Sequence, residues 1–351
     1  VASASASSSS GPSALRGILP KVGISLALAA LFAWIMAKGG VPLVPPAEAW
    51  GRVAWWAVPA YLALLLAMHF FRASRWRFLI APVKDDIPFG EVILLNWIGF
   101  FAIWAFPFRL GELARPVLTK LRHGVSISAG LGTVAVERVV DGLVTSVCVI
   151  VGLFMIPRLP ATDALTRSLP VYGGIFCAIF LAAFAGLVLF LWQRALAIRV
   201  IHLTFGLLSR RLAEKVAEKV DEVALGLRSL SRPRLAVGFA LESLLYWAVN
   251  AAGMWVLALG CGLDVSFAQA TGIMGILAIG ILLPAGPGLF GSFQLSISLA
   301  LRLYFAAELV GTAGAAYIFL LYGLQSLLLT LTGVVPLYML NLRFSDLLRR
   351  G

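Results

Sequence analysis

Charge is scarce in this chain. Only 13% of its 351 residues are Asp, Glu, Lys or Arg, where a soluble domain carries about a quarter. Hydrophobic residues make up 61%, and the mean hydropathy is +0.96. This excludes a soluble globule built on one buried core and gives an expectation of an all-α polytopic membrane protein. Cysteine is equally scarce. Cys148, Cys177 and Cys261 lie in or beside apolar segments, without CxxC spacing. They read as small buried hydrophobes, which excludes a disulfide framework or a zinc site. His69, His123 and His202 are scattered and form no ligand pattern, so no metal and no other cofactor is expected. The chain carries no nucleotide-binding motif and no nucleic-acid motif. Its net charge of +12 falls between apolar segments. It therefore reads as a topology signal and as contact with anionic lipid headgroups, with no nucleic acid as partner.

Long apolar runs are abundant. A span of about 30 Å of hydrocarbon needs roughly 20 residues. Such windows lie near 18–37, 54–71, 129–157, 169–192, 234–260 and 306–335. Two further runs, near 90–108 and 267–305, are broken by Pro and Gly. The first break reads Phe106-Pro107-Phe108-Arg109-Leu110-Gly111-Glu112, with Arg115 following. The second reads Leu283-Pro284-Ala285-Gly286-Pro287-Gly288-Leu289-Phe290-Gly291-Ser292-Phe293-Gln294. Broken backbone survives at membrane depth only where protein or a watery cavity satisfies its N–H and C=O groups. A matched pair of breaks in opposite halves points to a transport site between two repeats.

The distribution of basic residues tests this topology. With Arg16 and Lys21 inside, the second helix returns to a basic loop at Arg72, Arg75, Arg77 and Lys84. If 90–108 crossed fully, Arg109, Arg115, Lys120 and Arg122 would lie outside, against the positive-inside rule. If both broken runs dip in and return, one from each face, the rule holds throughout. The expectation is therefore about six full transmembrane helices plus two re-entrant broken segments, arranged as an inverted repeat. Both termini then lie in the cytoplasm. The Ala/Ser-rich start, 1–15, is expected to be a disordered tail, and 341–351 a cytoplasmic tail. A single membrane domain fills 16–340, with halves at about 16–192 and 234–340. Between them, within 196–232, Leu208, Leu212, Val216, Val220, Val223, Leu227 and Leu230 recur at helical steps opposite a charged face. That pattern predicts an amphipathic helix on the membrane interface.

Ionisable residues at membrane depth are functional candidates by default. Arg109, Glu112 and Arg115 follow at steps of three, on one side of a helix if Gly111 starts one. Glu137, Arg138 and Asp141 sit together, the two carboxylates at i, i+4. Arginine grips phosphate with a planar fork, and a helix start after Gly111 or Gly291 would aim free N–H groups at an anion. Glu137 and Asp141 would neutralise Arg109 and Arg115 when no substrate is bound. Gln294 would line the cavity or cap a helix. The candidate binding set is thus Arg109, Gly111, Glu112, Arg115, Glu137, Arg138, Asp141, Pro284, Gly286, Pro287, Gly291 and Gln294. A purely structural ion network is the competing reading.

These residues carry a resemblance. Pro107-Phe108-Arg109-Leu110-Gly111-Glu112-Leu113-Ala114-Arg115 resembles a P-x-R-x-G-E-x-x-R signature, and Glu137-Arg138-Val139-Val140-Asp141 an E-R-x-x-D signature. The late Pro/Gly-rich loop at 283–291 is similar as well. All three are found, in this order, in the flippase-like membrane domain of lysylphosphatidylglycerol synthases, which also occurs as stand-alone proteins. The likeness spans about 18–340. It implies translocation of lipid between leaflets of a bacterial or archaeal cytoplasmic membrane, through a cavity made by the motif residues. In the family the late loop usually ends in Gly-x-x-Glu, whereas this chain has Gln294 at that place. The substitution removes the charge that proton coupling or cation binding there would use. The aminoacyl-transferring soluble domain is absent, so the chain is expected not to make lysyl-lipid by itself.

The expected function is flipping or scrambling of an anionic phospholipid or a polyprenyl-phosphate lipid, with a lipid synthase as a candidate partner. The alternatives are a membrane enzyme acting on lipid, or a non-transporting partner of such a synthase. An enzyme would need paired carboxylates with metal, or a nucleophile with its base. The exposed pair Asp85-Asp86 sits in a turn beside Lys84 and does not supply that arrangement.

Overall fold

A computed structural model describes residues 23–24, 26–34, 37–38, 42–106, 111–156, 164–193, 199, 203–204, 209–283 and 285–342. Arg109, Pro284, the expected tail at 1–15, all but the first two residues of the expected tail at 341–351, and parts of the expected span near 18–37 lie outside them. The described residues are helical, with no strand among them. After a short turn of helix at Ala47–Trp50 come α1 (Ala57–Ser74), α2 (Trp76–Ile80), α3 (Phe89–Ala105), α4 (Ala114–His123), α5 (Ile127–Phe154) and α6 (Ala164–Trp192). Then follow α7 (Arg210–Leu227), α8 (Pro233–Gly260), α9 (Phe267–Gly280), α10 (Ser292–Leu301) and α11 (Ala315–Met339). A π-helical turn at Val310–Gly314 leads into α11. The stretches Ala57–Ile80, Pro233–Gly260 and Ala307–Met339 are long and apolar enough to cross a membrane. At 28 and 29 residues, α5 and α6 are long enough as well. The protein is an all-α polytopic membrane protein.

Both broken runs fold as helical hairpins. In the first, α3 runs in and α4 runs back along it. Arg115 Nη1 donates to Asn96 Oδ1 at 2.5 Å. At the open end Arg122 pairs with Glu91, and His123 Nε2 lies 3.4 Å from the same carboxylate. Near the tip, Gly111 lies against the backbone of Ala102 and Ile103, where a Cβ would collide with main-chain atoms. Glycine is needed there because two backbones occupy the space of one side chain. In the second hairpin α9 and α10 run antiparallel: Gly280 lies against Ser296, and Gly272 against Tyr304 at the open end.

One helix connects the two open ends. α5 begins four residues after His123 and ends where Gly152 packs backbone-to-backbone on Gly272. Tyr304 Oη donates to Gly152 O at 2.8 Å in the same place. The hairpins therefore enter from opposite ends of α5, which at 28 residues is about 42 Å long at 1.5 Å per residue. This is the inverted arrangement expected from the breaks. Small residues permit such close approach where lipid supplies no hydrophobic drive between helices. Gly272 and Gly275 both face α5, so the Gly-x-x-Gly of α9 serves packing within the chain.

The amphipathic helix α7 docks on the first third of α5. Gly226 meets Ala129 O and Gly132, and Gly132 meets Val223 O. Ala217, Ala224 and Leu227 are buried on that face. The Lys219 ammonium, 2.9 Å away, holds the Glu222 carboxyl below its usual pKa range.

The Gly152–Gly272 crossing sets the depth of the second hairpin. Gly152→Val is expected to lower stability by about 1–3 kcal/mol through overpacking, read as a lower melting temperature of the purified protein. Gly186→Val, at a helix position with open space around it, is expected to change little.

Candidate functional site

The tips of the two hairpins face one cavity beside the middle of α5. Its volume is about 420 Å³. α5 contributes Arg138, Asp141, Gly142 and Thr145, and the first break contributes Glu112. The second break contributes Gly288, Leu289 and Phe293. Arg72 enters from α1, and Tyr246, Trp247 and Asn250 from α8. Phe100 and Trp104 of α3, with Tyr322 of α11, complete an aromatic lining. Gly288 takes φ +72°, its carbonyl oxygen accepts a hydrogen bond from Tyr322 Oη at 3.1 Å, and 3.2 Å separates Trp104 from the place a Cβ would occupy. The tip of the second hairpin is thereby held between α3 and α11.

Behind the cavity lies a dense ion network. Glu137 is wholly buried and faces three guanidinium groups. Arg138 Nη2 donates to its Oε1 at 2.9 Å, Arg75 Nη2 lies 3.4 Å from the same oxygen, and Arg115 Nη1 lies 2.8 Å from Oε2. Arg75 is also wholly buried and forks onto Asp141 at 2.7 and 2.8 Å. Its Nη1 reaches Ser243 Oγ at 3.2 Å, and Trp247 Nε1 donates to Asp141 Oδ1 at 3.2 Å. The network joins α1 and α2 to α4, α5 and α8.

The expected site residues divide accordingly. Glu112, Arg138 and Asp141 line the cavity, whereas Arg115 and Glu137 stand behind it as an ion pair. Gly111, Glu112, Arg115 and Arg138 also border a small void beside Asn96. Gly286, Pro287, Gly291 and Gln294 do not line the cavity; their neighbours Gly288 and Leu289 do. Gln294 is the helix cap of the two roles expected for it, since its Oε1 accepts from Gly291 N at 2.7 Å. That bond also occupies the N–H at Gly291 that an anion would have used. The helix start expected at Gly111 comes later, at Ala114, after one tighter turn.

Two assignments change. Asp141 neutralises Arg75, not Arg115. Arg72 and Arg75 do not belong to a solvated basic loop: the helix continues past Phe71 to Ser74, and Arg75 is the hub of the network. Burial is tolerated because Asp141, Glu137 and Ser243 meet its two terminal nitrogens, Nη1 and Nη2. The signal in the sequence was a run of arginines at the end of an apolar span, identical to that of a topology marker. Asp85-Asp86 remains peripheral, with Asp86 Oδ2 2.8 Å from Lys84 Nζ. Among the described residues no three His, Cys, Asp or Glu side chains are grouped so as to hold a metal ion.

Removing the Glu137 charge would leave Arg115 and Arg138 without their carboxylate, while Arg75 keeps Asp141. Glu137→Gln is expected to destabilise the protein by about 3–5 kcal/mol, the cost of breaking a buried ion pair. Glu242 pairs with Arg77, whose side chain is 43% exposed, and accepts from Ser74 Oγ; Glu242→Gln keeps an acceptor for both and strands no buried charge, so it is expected to cost about 1–2 kcal/mol, less than Glu137→Gln. Thermal unfolding of the two variants in detergent checks the contrast.

No curated protein and no solved structure matches the chain. A family model does: the lysylphosphatidylglycerol synthase TM region matches residues 21–333. That match takes in both hairpins, α5 and the cavity between them, and ties the chain to a membrane-lipid function. By this match the protein belongs to the lysylphosphatidylglycerol synthase transmembrane-region family.

Proposed function

We propose that this protein moves the phosphate-bearing headgroup of an anionic lipid, a phospholipid or a polyprenyl phosphate, between the leaflets of a cytoplasmic membrane. It does so as a transporter, not as an enzyme. One observation carries the reading: two hairpins entering from opposite ends of α5 give lining residues to one cavity that holds Arg72, Glu112, Arg138 and Asp141. Charged side chains in an apolar bundle mark a polar path. Interrupted helices from the two halves are the usual frame of a transport site. The headgroup would cross in the cavity while its acyl chains stay in the bilayer. Leu282 and Leu283, exposed beside the cavity at the second break, offer the chains an apolar edge.

Orientation follows from the grouping of basic residues. Phe78 packs on Gly238, so α2 and the start of α8 share the end of the bundle where α5 begins. Arg77, Lys84, Arg122, Arg228, Arg232 and Arg234 belong to segments at that end. By the positive-inside rule it faces the cytoplasm. The first hairpin then opens inward and the second outward. A lipid synthase working on the cytoplasmic leaflet would be the natural source of cargo.

The test is headgroup translocation in reconstituted liposomes, read with a fluorescent phosphatidylglycerol and an impermeant quencher. Glu112→Gln is expected to slow translocation by about tenfold, the worth of one charged hydrogen-bonding group. Rates equal to those of protein-free liposomes in the wild type would overturn the proposal. A new lipid mass in the reconstituted membrane would overturn it in favour of an enzyme.

A further inference from the structure

Four arginines converge on this region, and three of them are engaged. Arg75 is held by Asp141, and both Arg115 and Arg138 lean on Glu137. Arg72 differs in having no ion pair and no hydrogen bond among the described residues; its buried Nε, like those of Arg75 and Arg138, has no partner. Its guanidinium lies over an aromatic wall instead, with Cζ 3.9 Å from the Phe100 ring centroid and 5.9 Å from that of Tyr246. It lines the cavity opposite Arg138 and Asp141. Leaving Arg109 aside, Arg72, Arg75, Arg115 and Arg138 face Glu112, Glu137 and Asp141, a surplus of one positive charge.

We infer that Arg72 receives the phosphate of the cavity's ligand. The cation–π contact with Phe100 holds the guanidinium at the cavity wall without using its N–H groups. The N–H edges remain to donate to phosphate oxygens, a geometry that lysine cannot reproduce. Arg115, the phosphate ligand expected from the sequence, is already committed to Glu137 and Asn96. A phosphate at Arg72 cancels the surplus charge without disturbing either buried carboxylate. The inference rests on the reading that the cavity holds the lipid headgroup.

The experiment measures equilibrium binding to purified protein in detergent. The probes are dioctanoyl phosphatidylglycerol, dioctanoylglycerol lacking the phosphate, and glycerol 3-phosphate lacking the chains. Arg72→Gln is expected to weaken phosphatidylglycerol binding by about tenfold and to leave dioctanoylglycerol unchanged. Arg72→Lys is expected to fall between Gln and wild type, because it keeps charge and loses the fork. Equal phosphatidylglycerol affinity in all three proteins overturns the inference. Glycerol 3-phosphate binding as tightly as the lipid, and equally sensitive to Arg72→Gln, supports the phosphate site and assigns it to a soluble phosphate. Should Arg72→Gln fail to fold, footprinting of the wild type with an arginine-specific dicarbonyl decides. Protection of Arg72 by phosphatidylglycerol but not by dioctanoylglycerol supports the site, and its absence overturns it. The liposome assay separates the two readings. Arg72-dependent binding without translocation overturns transport alone, and translocation unaffected by Arg72→Gln overturns the role of Arg72 alone.

Discussion

Glu137 has no access to water and has three guanidinium groups within 3.4 Å. A carboxylate so placed is stable only while those cations stay where they are, and the cations only while it does. The mutual requirement locks positions far apart in the chain. Arg75 fixes the junction of α1 and α2, Arg115 fixes the depth of the first hairpin, and Asp141 carries the lock on to Trp247 of α8. The apolar packing of the bundle would tolerate small slips of one helix on another. The charges do not, because each slip would leave a donor or acceptor unpaired in a medium that cannot solvate it.

The two hairpins are related in form and held by different means. The first is fixed by charge, with Arg115 near its tip and Arg122 on Glu91 at its opening. The second is fixed by close backbone contact, with Gly272 on Gly152 and Gly280 on Ser296, and by the phenol of Tyr304. Gln294 spends its side-chain oxygen on the helix start. The paired architecture therefore carries an asymmetric chemistry. The polar side chains that can meet a ligand come from the first half, from α8 and from α11, and the second hairpin contributes shape.

Much of this was legible in the chain itself. Proline and glycine interrupting apolar runs marked both hairpins, and the basic residues of Lys120 and Arg122 required the first to turn back. The Glu137–Asp141 spacing identified the charged face of α5. What remained illegible were the partners. Arg75 meets Asp141 across 66 positions and Ser243 across 168. A single sequence holds no trace of which arginine faces which carboxylate. Arg72 and Arg75 were hidden for a further reason: arginines ending an apolar span are the ordinary mark of a helix leaving the membrane. Only packing distinguishes one that leaves from one that stays. Gln294 shows the reverse case, where two roles were open and local geometry chose the cap.

The cavity beside the midpoint of α5 also changes the electrical thickness of the protein. Hairpin tips reach toward it from both ends of a helix about 42 Å long, and recesses following them inward would meet near its charged lining. Where water or headgroups can enter such recesses, a transmembrane voltage no longer falls evenly across the bilayer. It concentrates over the short septum between them. A headgroup carrying one net charge would meet most of that potential in a few ångströms, worth about 2.3 kcal/mol per 100 mV. A bundle so hollowed makes membrane voltage a local force on its ligand, with no moving charged helix required to sense it.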